Sequence, residues 1–232
     1  MLPVAILAGG LAMRLRPLTD RVPKSLIPIN GEPFIVHQLR MMRSRGVERV
    51  VLCVGHLGAM IREVVDDGEA FGLEVDYSWD GPMLLGTGGA IRMALPLLGE
   101  AFLVMYGDSY LPCDYRAVER AFAASGKMAL MTIFHNNGKW DSSNVEFSGD
   151  RIVAYDKHHR TPRMHYIDYG LGAFNRRAFD ALPFSACDLA TVYQDLLNQD
   201  ELAVFEVQDR FYEAGSLEGI RSLSELLAGN EG

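Results

Sequence analysis

Val4-Ala5-Ile6-Leu7-Ala8-Gly9-Gly10 is an apolar run that stops at paired glycines. Four consecutive apolar residues ending at such a break read as a buried strand. Glycine carries no Cβ, so the backbone at Gly9-Gly10 can approach a ligand to hydrogen-bond distance. Farther on, Arg14 and Lys24 set two cations beside that bare backbone, one a rigid fork and the other a mobile point charge. Bare N–H groups together with cations suit a polyphosphate, and the set predicts a loop that binds a nucleoside triphosphate. A tight turn and solvated surface charges would explain each residue singly; they explain the whole set poorly. The common phosphate motifs do not apply. There is no G-x-x-x-x-G-K-[ST], and Gly9-Gly10-Leu11-Ala12-Met13 lacks the later glycine of a dinucleotide fingerprint.

The 232 residues fit one α/β domain or two small ones, and 49% apolar content can fill a sizeable core. The net charge of −8 comes with dispersed basic residues, which argues against a nucleic-acid partner. Local positive potential at Arg14, Lys24 and Lys157 still allows an anionic substrate. Cys53, Cys113 and Cys187 are far apart and lack C-x-x-C spacing, so they read as buried thiols of a reducing, cytoplasmic compartment. The apolar start is too short for a signal peptide, and no apolar run reaches the roughly 18 residues that span a bilayer. A soluble chain with no membrane partner is expected.

Strand-like and helix-like segments alternate. Strands are predicted at Val4–Leu7, Val50–Val54, Glu74–Ser78, Phe102–Tyr106 and Ala129–Phe134. The helices between them are predicted at Pro33–Arg45 (ending at Gly46), Gly58–Asp67, Gly89–Leu97 and Tyr115–Ala124. This rhythm implies right-handed βαβ units and a mainly parallel sheet. From Asn136 the character changes. Asn144–Phe147 and Arg151–Tyr155 flank the turn Ser148-Gly149-Asp150 as a hairpin-like insertion. Leu171–Phe174 and Ala203–Val207 read as strands, Ala190–Gln199 and Gly219–Leu227 as helices. The economical reading is a single domain over 1–232, with 1–134 binding nucleotide and 135–232 binding the second substrate. His135, His158, His159 and His165 lack metal spacing and read as loop residues.

The pattern L-A-G-G-x-x-x-R-L-x-P-L-T-x-x-x-P-K-x-L, from Leu7 to Leu26, resembles the signature of the sugar-1-phosphate nucleotidylyltransferases. The likeness continues along nearly the whole chain. It implies a Rossmann-like three-layer α/β/α fold with a mainly parallel central sheet. Long members carry a C-terminal left-handed β-helix of hexapeptide repeats; no such repeat is present, so the chain resembles the short members. The family joins a sugar 1-phosphate to a nucleoside triphosphate and releases pyrophosphate, with Mg²⁺ as cofactor.

By that resemblance Arg14 stabilises the β,γ-phosphates, and Lys24 bridges the α-phosphate and the sugar phosphate. Leu7, Ala8 and Gly9 face base and ribose and Gly10 binds nucleotide beside them, while Gly86, Thr87 and Gly88 of Leu85-Gly86-Thr87-Gly88-Gly89-Ala90 read the base. Asp108, at the end of Phe102–Tyr106, matches the first metal aspartate. Hard oxygen ligands of this kind suit Mg²⁺. The second metal carboxylate falls on Glu213 in Tyr212-Glu213-Ala214-Gly215-Ser216, where the family usually has aspartate. The alternative for Glu213 is an acidic residue before a helix that Ser216 caps. Lys157 would hold the sugar phosphate and Asp156 a sugar hydroxyl, with Asn144, Tyr169 and Gly170 lining the sugar.

The G-T-G-G-A-I loop and the overall likeness resemble D-glycero-α-D-manno-heptose 1-phosphate guanylyltransferases, which implies GTP as the triphosphate. A uridylyltransferase for another sugar, such as N-acetylmuramate 1-phosphate, is the near alternative. A non-catalytic nucleotide-sugar-binding regulator is the alternative of another class. A monomer or a homodimer is compatible with the sequence.

Overall fold

The β-branched runs at the start of the chain form adjacent parallel strands, and they place the cleft. In the computed structural model, residues 1–10, 15, 17–81, 83–180, 182 and 186–229 are described, so Arg14 lies outside the described residues. In chain order the elements begin with β1 (Val4–Leu7), β2 (Pro28–Ile29), β3 (Glu32–Pro33), α1 (Phe34–Ser44), β4 (Arg49–Val54) and α2 (Gly58–Val65). They continue with β5 (Glu74–Trp79), α3 (Gly86–Leu98), β6 (Ala101–Tyr106), β7 (Ser109–Tyr110), α4 (Tyr115–Ser125) and β8 (Ala129–His135). The remainder are β9 (Val145–Ser148), β10 (Arg151–Tyr155), β11 (Tyr166–Asn175), α5 (Leu189–Asn198), β12 (Leu202–Val207), β13 (Tyr212–Glu213) and α6 (Leu217–Gly229).

Among the described residues the main sheet has nine strands. β5, β4, β1 and β6 lie side by side and parallel. β11 then pairs antiparallel with both β6 and β8, and β12 closes that edge parallel to β8. The hairpin β9–β10 attaches where β11 begins. Connections leave β1 toward β4 on one side and reach β6 on the other, so the strand order reverses at β1/β6. In open α/β sheets ligands bind outside the carboxyl ends of the strands at such a point.

Side-chain alternation along β1 divides the core. Val4 and Ile6 pack with Ile35, Leu39 and Met42 of α1, Ile61 of α2 and Val118 of α4. Ala5 faces the other way, toward Ala90, Ile91 and Ala94 of α3 and Val192 and Tyr193 of α5. Helices therefore cover both faces of a mainly parallel sheet, which is the Rossmann-like three-layer arrangement expected. A smaller cluster docks α6 through Leu223 onto Ile29, Phe34 and Ala214.

Local chemistry sets the ends of the elements. The Asp114 carboxylate accepts a hydrogen bond from the Ala117 N–H and caps α4, which ends at Gly126 with φ +65°. Gly46, with φ +87°, stands just beyond α1 as expected. Three expectations change. α3 starts at Gly86 rather than Gly89, so the Gly-Thr-Gly stretch is its first turn. The strand expected at Leu171–Phe174 extends over Tyr166–Asn175, and His135 ends β8 rather than lying in a loop. Among the described residues no helix is long and apolar enough to cross a membrane.

Candidate active site

At the carboxyl ends of β1 and β6 the two backbones almost touch. A Cβ on Gly107 would lie 2.3 Å from the Leu7 carbonyl oxygen, and the Gly107 N–H donates to that oxygen at 3.1 Å. Beside this junction opens a cleft of about 230 Å³. Its walls include Leu7, Ala8, Gly9, Gly10, Gly86 and Thr87, together with Lys24, Tyr106 and Asp108. Six of the seven expected nucleotide-binding residues thus share one cavity wall with Lys24 and Asp108.

Gly9 is tightly packed. A Cβ there would meet the Gly55 amide nitrogen at 3.1 Å and Asp80 Oδ2 at 3.2 Å. The α3 glycines answer to another neighbour. Gly86, with φ +70°, would bring a Cβ within 2.4 Å of the Cys187 carbonyl oxygen, and Gly88 would bring one within 2.8 Å of Cys187 Sγ. Gly88 is turned to that contact rather than being a lining residue of the cleft. The Thr87 hydroxyl accepts from the Leu189 N–H at 2.7 Å and donates to Asp188 Oδ1 at 3.0 Å, so it is engaged by the start of α5.

Three charged groups meet where β6 ends. Lys24 Nζ donates to Asp108 Oδ2 at 2.5 Å. β7 and β13 pair as a short ribbon, Ser109 opposite Glu213, and the Ala214 N–H donates to the Asp108 carbonyl at 2.8 Å. The ribbon sets Glu213 beside Asp108. All three groups press against Gly215: a Cβ there would lie 2.1 Å from Glu213 Oε2, 2.7 Å from Lys24 Nζ and 3.2 Å from Asp108 Oδ2. Glu213 also holds its own loop, accepting from the Gly215 N–H and, at 2.6 Å, from the Ser216 hydroxyl. Ser216 Oγ in turn accepts from the Gly219 N–H at 3.0 Å, the N-capping arrangement. Glu213 therefore faces Asp108 and braces the entry to α6 together.

Asp108 and Glu213, two hard carboxylates beside Lys24, fit the donor set of Mg²⁺, which commonly takes one or two carboxylates plus phosphate oxygens. Among the described residues no group of three or more His, Cys, Asp or Glu side chains could hold a metal, so phosphate oxygens would have to complete such a set.

Three of the residues expected on the sugar side, Lys157, Asn144 and Gly170, group around Asp168. Lys157 Nζ donates to the Tyr106 hydroxyl at 2.9 Å and stands 4.7 Å from the centre of its ring. Asn144 Oδ1 accepts from the Asp168 N–H at 2.9 Å, and the Gly170 N–H donates to Asp168 Oδ1 at 3.1 Å. Gly170 has φ +100°, a left-handed conformation natural to glycine. Asp156 Oδ1 accepts from the N–H groups of His158 and His159 at 2.7 and 2.9 Å, and these donors hold its carboxyl below the usual range. Tyr169 does not line the sugar side with its ring. Strand alternation turns it into the core, 2% exposed, where Phe134 and Phe211 flank it.

Reading the sequence missed three participants. Asp80 lines the cleft between Gly9, Gly55 and Leu84, and burial raises its carboxyl above the ordinary range while the Leu85 N–H pulls it down. Ser25, next to Lys24, lines the cleft with a buried hydroxyl that has no hydrogen-bond partner among the described residues. Asp168 is the third. Only Asp80 carried a signal, since it closes a predicted strand as Asp108 does.

The cleft lies at the strand-order reversal, with glycines, Lys24 and Asp108 in its lining. The chain belongs to the nucleotidyl transferase family, whose model matches residues 4–182. It is 40% identical over 113 residues to an N-acetylmuramate α-1-phosphate uridylyltransferase from Neisseria meningitidis serogroup B, covering 48% of this chain and 49% of that protein. It is 34% identical over 109 residues to a D-glycero-α-D-manno-heptose 1-phosphate guanylyltransferase from Campylobacter jejuni, covering 47% and 48%. The chain thus spans about half the length of these curated relatives. In fold it is similar to the crystal structure of HddC from Yersinia pseudotuberculosis complexed with GMP-PN, with a TM-score of 0.82, 21% identity and coverage of 98% and 100%.

Proposed function

We propose that this chain transfers a nucleotidyl group from a nucleoside triphosphate, GTP in the favoured reading, to a sugar 1-phosphate, favoured as D-glycero-α-D-manno-heptose 1-phosphate. The products are a nucleoside-diphosphate sugar and pyrophosphate. One observation carries the reading: Lys24, Asp108 and Glu213 converge on Gly215 at the mouth of the glycine-rimmed cleft.

A sugar phosphate oxygen attacks the α-phosphorus and pyrophosphate leaves from the opposite side. Both reactants are anionic, so positioning and charge neutralisation are the main tasks. Lys24 neutralises the α-phosphate and the incoming phosphate together. Lys157 holds the sugar phosphate, and Arg14 takes the β,γ-phosphates. Bound by Asp108 and Glu213, Mg²⁺ would supply further charge neutralisation of the triphosphate. The backbone of Leu7 to Gly10 and the first turn of α3 hold base and ribose from opposite sides.

Pyrophosphate release with GTP, UTP, CTP and dTTP, each offered with heptose 1-phosphate and N-acetylmuramate 1-phosphate, tests the reading. Preference for UTP or CTP over GTP sinks the guanylyl assignment. The uridylyl alternative draws on the 40% identity to the Neisseria protein. Lys24→Ala should abolish turnover and leave nucleotide binding measurable by calorimetry; unchanged turnover contradicts the mechanism. Nucleotide-sugar binding without turnover of any pair by the unaltered protein would instead mark a regulator.

A further inference from the structure

Asp168 is used by no step described so far, yet the sugar side is built around it. The register of β11 against β8 shifts between Asp168 and Gly172, an irregularity of the kind that re-aims side chains near active sites. Both carboxylate oxygens are taken: Oδ1 accepts the Gly170 N–H at 3.1 Å, and Oδ2 accepts the hydroxyls of Tyr155 at 3.2 Å and Tyr106 at 3.4 Å. The same Tyr106 oxygen receives Lys157 Nζ at 2.9 Å.

The direction of these bonds is fixed by chemistry. An ammonium only donates and an ionised carboxylate only accepts, so the hydroxyl between them accepts from Lys157 and donates to Asp168. A hydroxyl so placed is polarised from both sides, and each bond strengthens the other. We infer that Asp168 is a positioning residue: acting through the Tyr106 hydroxyl, its half-buried carboxylate fixes the Lys157 ammonium where the phosphate of the sugar 1-phosphate is received. The inference rests on the proposed function only for the identity of the phosphate. An amide cannot replace the carboxylate, because asparagine offers one acceptor oxygen where two are in use. Burial raises the Asp168 carboxyl above its ordinary range, and Lys157 and the hydrogen bonds draw it only part of the way back.

The rival is a purely structural brace that ties β11 to β10 and β6. Tyr106→Phe separates the two, since it keeps the ring and leaves Asp168 its bonds to Gly170 and Tyr155. The chain has four lysines, Lys24, Lys127, Lys139 and Lys157, so lysine-selective isotope labelling gives a sparse NMR spectrum in which Lys157→Arg assigns the Lys157 signal. In both Tyr106→Phe and Asp168→Asn, the Cε order parameter of Lys157 should fall to that of Lys139. In steady-state kinetics with the best substrate pair, both should raise the sugar 1-phosphate KM about tenfold and hold the triphosphate KM within about twofold, as loss of a charge-assisted contact implies.

An unchanged Lys157 order parameter in either folded variant overturns the inference. So does an unchanged sugar 1-phosphate KM in a variant whose Lys157 is loosened. If Asp168→Asn does not fold, Tyr106→Phe alone decides. If the unaltered protein turns over no pair, the proposed function fails, and the order parameters still decide whether Asp168 and Tyr106 hold Lys157.

Discussion

At Gly215 a single added methyl group would lie 2.1 Å from Glu213 Oε2 and 2.7 Å from Lys24 Nζ. These are ends of side chains, so they can move aside, and the protein should still fold. The displacement falls on the groups proposed to position the phosphates, where an ångström matters. Gly215→Ala is therefore expected to cut kcat about a hundredfold, with circular dichroism unchanged. Asp80 makes a prediction in pH. Its raised carboxyl pKa means the folded chain holds this proton more tightly than the unfolded chain does. Its contribution to stability therefore declines as pH rises from the ordinary carboxylate range through the raised value. Asp80→Asn removes that decline, so urea midpoints between pH 4 and 7 should show the variant gaining on the parent toward the higher pH. A gap that widens in the opposite direction would contradict the assignment.

Between elements, the starts of α3 and α5 are joined by one hydroxyl. Thr87 accepts from Leu189 and donates to Asp188, while Asp188 Oδ1 also accepts from the Ala190 N–H at 2.8 Å as the cap of α5. Thr87→Val and Asp188→Ala should each cost about 1 kcal/mol in urea unfolding. Because they share a bond, the double variant should cost less than the sum, and strict additivity would deny the coupling. This brace also shows where sequence reading stopped. Local signals placed the parallel strands and their helices, since β-branched runs and apolar spacing are short-range properties. The glycines of Gly86-Thr87-Gly88 were legible as glycines, but not the backbone of Cys187 that they accommodate far along the chain. In the same way the ribbon β7–β13 left no mark, since strands of two residues carry no period. Asp168 hid for a related reason: its role depends on a register shift in β11, which only pairing with β8 defines.

For the whole molecule, the thiols report on the two halves of the core separately. Cys53 packs with α3 and α5, Cys113 with the layer of α1 and α4, and burial pushes each thiol up to about 12. Cys187 is partly exposed. With a disulfide reagent at pH 8, the native protein should release one equivalent from Cys187, and the other two thiols should appear only on unfolding. Reaction of Cys53 before Cys113 would show that the layers open independently. The ribbon that sets Glu213 beside Asp108 has a consequence for a chain still being synthesised. Once β12 has left the ribosome, every strand of the main sheet and every described wall of the nucleotide cleft can be in place, yet Glu213 is still to come. On the proposed function, such a nascent chain would hold a nucleotide before it could transfer one, and the substrate would act as a folding template ahead of the chemistry.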